Sequence, residues 1–207
     1  MSEPPPAASL GAVIPAAGRS RRMGREKVLL PFQGSSSLEA ILRTLDASGV
    51  RDVSVVLRAD LSEAADRARR CGARVVVNPD PDGEMIESIR LGLAALAQSA
   101  AAAVFVWPAD HPAVSGATID VLSAVADAAT VWIPTWEGRR GHPALLGRSF
   151  AAHVFALGPG EGLRELWRSR AASVRELPVP DPGVVTNIDT PAQYAAAVRD
   201  FPGPDTS

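Results

Sequence analysis

The sequence predicts a three-layer α/β/α domain on a mostly parallel sheet, and three observations lead there. Short apolar runs alternate with amphipathic segments along the chain, the pattern of strand–helix–strand units with parallel strands. The runs are apolar at consecutive residues, as in Leu10-Gly11-Ala12-Val13-Ile14, which marks strands covered on both faces. The length of 207 residues, with 46% hydrophobic and 21% charged, suits one globular domain.

The elements follow in order. After the strand at Leu10–Ile14 comes a loop rich in Gly and Arg. Ser36-Ser37-Leu38-Glu39 forms a capping box, and Leu38, Ile41, Leu42 and Leu45 repeat at helical spacing until Gly49 ends the helix. Val53–Leu57 is the second strand, and Asp60 with Glu63 is expected to cap a helix reaching Arg70. Val75–Val77 is the third strand, stopped by Asn78-Pro79. Met85, Ile86, Ile89, Leu93 and Leu96 make one helical stripe. Val104–Trp107 is the fourth strand, Ser115–Ala126 a helix and Val131–Ile133 the fifth strand. Beyond it the alternation loosens: His142–Leu146 reads as a short strand and Leu163–Trp167 as a short helix. Thr190-Pro191 opens a last helix, with a capping residue and Pro at its first position. Residues 9–200 are assigned to the domain, and the proline-bearing ends, 1–8 and 201–207, to flexible tails.

The totals exclude several classes. No stretch reaches the ~18 apolar residues of a membrane span, and Met1–Ser9 lacks the basic start of a secretion signal. Cys71 is the sole cysteine, so no internal disulfide or cysteine-clustered metal site is available, and we expect a buried thiol at a helix end. These features together point to the cytoplasm. Arg19, Arg21, Arg22, Arg25 and Lys27 fall close together with only Glu26 against them. A general nucleic-acid binder carries a broader basic surface, and this pI is near 5.9. The cluster therefore suits a small polyanion, a solvated basic loop being the alternative.

Small residues in Pro15-Ala16-Ala17-Gly18-Arg19-Ser20-Arg21-Arg22-Met23-Gly24 let backbone approach a ligand, and Gly18 and Gly24 can take positive φ. Successive amides in such a loop cradle phosphate oxygens, and arginines add charge-assisted hydrogen bonds. Neither Gly-Lys-Ser/Thr nor Gly-x-Gly-x-x-Gly occurs there, so a dinucleotide dehydrogenase is disfavoured.

The stretch Ala16-Ala17-Gly18-Arg19-Ser20-x-Arg22-Met23-Gly24-x-x-Lys27 resembles the loop of the molybdenum cofactor nucleotidyltransferases, relatives of the sugar-1-phosphate and cytidylyl transferases. The resemblance implies a Rossmann-like nucleotidyltransferase fold and a loop that wraps a nucleoside triphosphate. Gly18, Arg19, Arg22 and Lys27 would contact phosphates, with Ala16 and Ala17 in the nucleotide site. Ala-Ala-Gly is similar to the cytidylyltransferase form and tilts the nucleotide toward CTP over GTP. Pro15 departs from the family's usual leucine or threonine and removes one backbone donor.

Two aspartates extend the resemblance. Asp110 in Asp110-His111-Pro112 follows the fourth strand, and Asp189 lies in Asn187-Ile188-Asp189-Thr190-Pro191. Read alone, they are a turn residue and part of a helix cap. By resemblance they are the two carboxylates of a magnesium site, a cation that takes one or two carboxylates plus phosphates and water. Gly138-Arg139-Arg140-Gly141-His142-Pro143 resembles the family's Gly-His-Pro segment. Arg140 and His142 would then border the second substrate, a structural histidine being the alternative. Gly160-Glu161-Gly162-Leu163-Arg164 resembles its later glycine-rich turn.

The segment from Asn78 to Ser88 resembles the part near the nucleotide base and sugar, with Asn78 and Ser88 as contacts. Glu84 and Glu87 depart from it, standing where the family has glycine and serine. Carboxylates there repel a nucleotide unless countered. We expect Glu84 to face solvent on the first helical turn, and leave Glu87 open. The expected activity is magnesium-dependent transfer of a nucleotidyl group, CMP favoured, to a phosphorylated acceptor with release of pyrophosphate. The resemblance implies molybdopterin as that acceptor and a molybdoenzyme or its chaperone as macromolecular partner. A sugar or other small-molecule phosphate, or a cofactor-delivery protein without catalysis, are the alternatives.

Overall fold

In the computed structural model, residues 9–20, 22–80 and 82–203 are described. The chain begins with β1 (Leu10–Pro15), then a hairpin of β2 (Pro31–Phe32) and β3 (Ser35–Ser36), and α1 (Ser37–Ala47). It continues through β4 (Asp52–Arg58), α2 (Ser62–Arg70), β5 (Arg74–Asn78), α3 (Met85–Ala95), β6 (Ala103–Val106) and α4 (Gly116–Ala124). The last part holds β7 (Val131–Trp136), β8 (Arg139–Arg140), β9 (Ala144–Gly147), α5 (Ala151–Phe155), α6 (Leu163–Ser169), β10 (Val174–Pro178) and α7 (Pro191–Asp200).

The main sheet has the order β10-β7-β9-β6-β1-β4-β5, with β8 paired to β7. β6, β1, β4 and β5 pair in parallel, as do β7 and β10; β9 runs antiparallel to both β6 and β7. The three-layer α/β/α architecture is thus confirmed. Consecutive residues of β1 serve opposite layers: Ala12 and Ile14 join a cluster with α1, α2 and α4, while Val13 joins one with α3, α5 and α6. A strand used on both faces has to be apolar throughout, which is why its sequence shows no alternation.

Local chemistry sets the element ends. Ser36 Oγ accepts from the Glu39 amide at 3.3 Å and the Glu39 carboxylate accepts from the Ser36 amide at 3.0 Å, closing the capping box. Leu38, Ile41 and Leu45 are then wholly buried, each contributing roughly 1.5–3 kcal/mol. In the β2–β3 hairpin, Gln33 (φ 48°) and Gly34 (φ 77°) both take left-handed backbone, the geometry that two-residue hairpin turns require. Gly92 lets α3 approach β1: a Cβ there would stand 2.3 Å from Val13 Cγ1.

Several expectations need correction. Cys71 is exposed, at the end of α2. α2 starts after Leu61 with no side-chain cap, and Asp60 instead faces Arg58 Nε at 2.7 Å. Met85 is exposed although it lies on the apolar stripe, because it borders open clefts at the start of α3 while Ile86 beside it turns inward. The run at His142–Leu146 begins later, at Ala144, and is antiparallel. The proposed tail at 201–207 starts with Phe201 packed against the cluster of Phe32, Ile188 and Ala197; residues 1–8 and 204–207 lie outside the described residues. No described helix is long and apolar enough to cross a membrane.

Candidate active site

The carboxyl ends of β1, β5 and β6 open onto one cleft of about 410 Å³, the place where open α/β sheets hold ligands. The loop after β1 forms one wall through Ala16, Ala17, Gly18, Ser20, Arg22 and Lys27; Asn78, Ser88, Asp110 and Asp189 form others. Residues far apart in sequence thus meet as the resemblance implied, with one exception. Arg19 stands outside the lining, its guanidinium bound to both carboxylate oxygens of Asp82 at 2.7 and 2.8 Å. Arg21 lies outside the described residues.

The loop's shape has identifiable causes. Gly24 takes positive φ (64°) as expected, but Gly18 does not; Ser20 (φ 48°) makes the second left-handed turn. There its Oγ accepts from the Lys27 amide at 3.3 Å, tying the loop across its width. Met23 is the loop's apolar anchor, buried beside Ile188 and Ala113. Ile188 is the residue before Asp189, and its amide donates to the Asp110 carbonyl at 2.9 Å. The loop and both aspartate segments are therefore fixed to one another.

Charges are paired within the cleft. Asp189 accepts from Lys27 Nζ, from Arg22 Nη2 at 3.0 Å and from Asn187 Nδ2 at 3.0 Å. Asp110 pairs with His111 Nδ1 at 2.7 Å. Burial alone would raise the Asp110 carboxyl, but His111, aided by Lys27 and His142, outweighs it and holds the group below its ordinary value. Asn78 is buried, donating to Ser88 Oγ at 2.9 Å and accepting from the Asp80 amide at 2.9 Å. Thr190 caps α7 as expected, accepting from the Gln193 amide at 3.3 Å.

A second, larger cleft of about 610 Å³ adjoins the first and shares Met85 and Pro108 with it. Its floor is apolar (Ile89, Val106, Ile133, Trp167) and its rim carries Arg140, His142, Arg164 and Glu84. Arg140 pairs with Glu176 at 2.7 Å. The His142 ring meets His111 edge-to-face, centroids 4.6 Å apart, and its Nδ1 is buried without a hydrogen-bond partner. Burial, then His111, push His142 down to about 4 against the pull of Asp110. Glu87 is exposed and paired with Arg90, and it does not line the first cleft. Glu84 is exposed as expected, yet it borders the second cleft, where its side chain makes no cap bond to α3.

Ser20, Met23, His111 and Arg58 shape the site without a sequence motif that assigns them a role. Arg58 was the most legible of these, a charge ending the apolar run Val53–Leu57.

Comparison with known proteins identifies the family. The chain is 28% identical to the nicotine blue oxidoreductase of Paenarthrobacter nicotinovorans, over 87% of this chain and 92% of that protein. It is also 28% identical to a probable molybdenum cofactor guanylyltransferase of Mycobacterium ulcerans, over 93% of this chain and 95% of that protein. The manganese complex of Rv0371c from Mycobacterium tuberculosis superposes with a TM-score of 0.75 at 26% identity, covering 92% of this chain and 98% of the other. Residues 12–199 match the MobA-like NTP transferase domain, and the chain belongs to that family of nucleotidyltransferases.

Proposed function

We propose that this nucleotidyltransferase moves CMP from CTP to a phosphorylated acceptor held in the second cleft, molybdopterin being the acceptor that the family suggests. The observation that carries the reading is the pairing of two clefts: a small one with Lys27, Arg22, Asp110 and Asp189 beside a larger apolar one with Arg140 and His142. The preference for CTP over GTP rests on the Ala16-Ala17-Gly18 form of the loop.

In the reaction, an acceptor phosphate oxygen attacks the α-phosphorus of the triphosphate, and the bond to the β-phosphate oxygen breaks with loss of pyrophosphate. The acceptor is already ionised near neutral pH, so no side chain has to serve as nucleophile or base. The chain's contribution is alignment and charge. Lys27 and Arg22 turn from Asp189 to the phosphates, and the loop amides from Ala17 to Ser20 hold the phosphate oxygens. Arg19 joins them once it leaves Asp82.

Asp110 and Asp189 suit a magnesium ion. Both are hard oxygen donors on one cleft, and Asp110 is held ionised, a set that leaves room for phosphate and water ligands. When bound, the ion supplies neutralisation of the charge on the phosphates. The manganese complex of a relative supports a divalent cation in this fold.

Pyrophosphate release from CTP or GTP, with and without magnesium, in the presence of molybdopterin tests the reading. Release that depends on magnesium and runs faster with CTP supports it. Faster release with GTP overturns the base preference, and none with either nucleotide overturns the acceptor.

A further inference from the structure

Arg58 has no part in the chemistry above, yet it is among the most buried charged groups of the molecule, at 7% exposure. It ends β4, next to β1 in the sheet, directly beneath the loop that follows β1. Its Nη1 donates to the Gly18 carbonyl at 3.0 Å, on the loop's outgoing limb. Its Nη2 is bound to Glu26, on the returning limb and adjacent to Lys27. Nε faces Asp60 Oδ1 at 2.7 Å, at the start of the following turn. One rigid, planar group therefore reaches both limbs of the loop at once.

We infer that Arg58 is a positioning residue for the triphosphate: its guanidinium clamps Gly18 to Glu26 and thereby fixes where Lys27 stands in the cleft. The inference rests on the triphosphate reading of that cleft. A buried ion pair is weak ground for stability alone, since apolar replacements are often as stable. What an arginine offers that an apolar residue or a lysine does not is a fork of donors in fixed relative directions. Of the other described ties, Ser20 Oγ to the Lys27 amide at 3.3 Å is longer and joins two neutral groups, and Asp189 holds only the side chains of Arg22 and Lys27. Without the clamp, the Gly18 limb and the Glu26 limb lose their charged tie, and the cost of ordering them against each other falls on binding.

The test compares the wild type with Arg58→Lys, which keeps the charge beside Glu26 and Asp60 but cannot serve both limbs. The readouts are thermal melting and hydrogen–deuterium exchange of the free protein, and affinities for tripolyphosphate, CTP and CMP with magnesium. We expect a cooperative melt near that of the wild type, at least tenfold faster exchange confined to residues 17–27, and about tenfold weaker tripolyphosphate and CTP. CMP, which lacks the outer phosphates, should change less than twofold. A merely structural arginine would weaken CTP and CMP alike, and that result overturns the inference, as does unaltered loop exchange. Should Arg58→Lys fail to fold, Glu26→Gln loosens the returning limb alone; faster loop exchange with weaker tripolyphosphate supports the clamp, and wild-type values overturn it. A wild-type protein that binds no triphosphate overturns the triphosphate reading instead, while loop exchange still decides the clamp.

Discussion

Asp189→Asn should change phosphate affinity in opposite directions with and without a divalent cation. In the free protein, the Asp189 carboxylate occupies the cations proposed to meet the triphosphate. Lys27, 17% exposed, and Arg22, 69% exposed, both bind it. The Arg22 pair lies mostly in water and contributes a few tenths of a kcal/mol at most. The Lys27 pair is better shielded, and a charged hydrogen bond in that setting is worth about 1–2 kcal/mol. Removing the carboxylate frees both cations and removes a negative charge from the cleft. At about 1.4 kcal/mol per decade, tripolyphosphate in EDTA should bind roughly 5- to 30-fold more tightly to the variant. With magnesium present the order should reverse, because one of the two proposed carboxylate ligands is gone. Titration calorimetry under both conditions reads the effect. Weaker binding by Asp189→Asn in EDTA would refute the idea that Asp189 competes with phosphate for Lys27 and Arg22.

Two further outcomes concern Asp110 and His142. Asp110→Asn should abolish magnesium-dependent turnover, while the melting temperature falls by only about 2–4 °C, the value of roughly 1 kcal/mol in a chain of this size. Retained turnover would move the metal elsewhere. His142 gives a pH dependence, because its folded value of about 4 lies below the ordinary 6.5. As pH drops below 6.5 the unfolded chain takes up a proton that the folded protein refuses, so stability falls until about pH 4. The loss totals about 3 kcal/mol. Asp110, lowered from 3.8, acts only below that window. Melting temperatures from pH 7 to 4.5 should therefore drop less in His142→Asn than in the wild type; parallel curves would contradict the assignment.

What could be read from the sequence follows the strength of local signals. Strands such as Val53–Leu57 and the capping box at Ser36–Glu39 announce themselves, because burial on both faces and cap chemistry constrain neighbouring residues directly. β10 was invisible: Val174-Arg175-Glu176-Leu177-Pro178 is an edge strand with exposed polar residues and a proline, held by pairing with β7. The antiparallel sense of β9 depends on the path of the chain between β7 and β9, which no periodicity encodes. In the site, glycines, lysine and aspartates were legible as types with known chemistry. The tie between Arg58 and Gly18 is a tertiary contact across forty positions, and the capture of Arg19 by Asp82 spans more. Only the fold reveals such partners. Cys71 departs from expectation for a simpler reason: a residue type that is usually buried stands here exposed at a helix end.

The most direct test of the central claim is a thermal-shift series with CTP, GTP, ATP and UTP, each with magnesium and with EDTA. A ligand at about 100 times its dissociation constant stabilises by ~2.7 kcal/mol, a rise of roughly 5–10 °C for a chain of this size. The account predicts that rise with magnesium and CTP, a smaller one with GTP, and little in EDTA. No shift with any triphosphate in the presence of magnesium would contradict it.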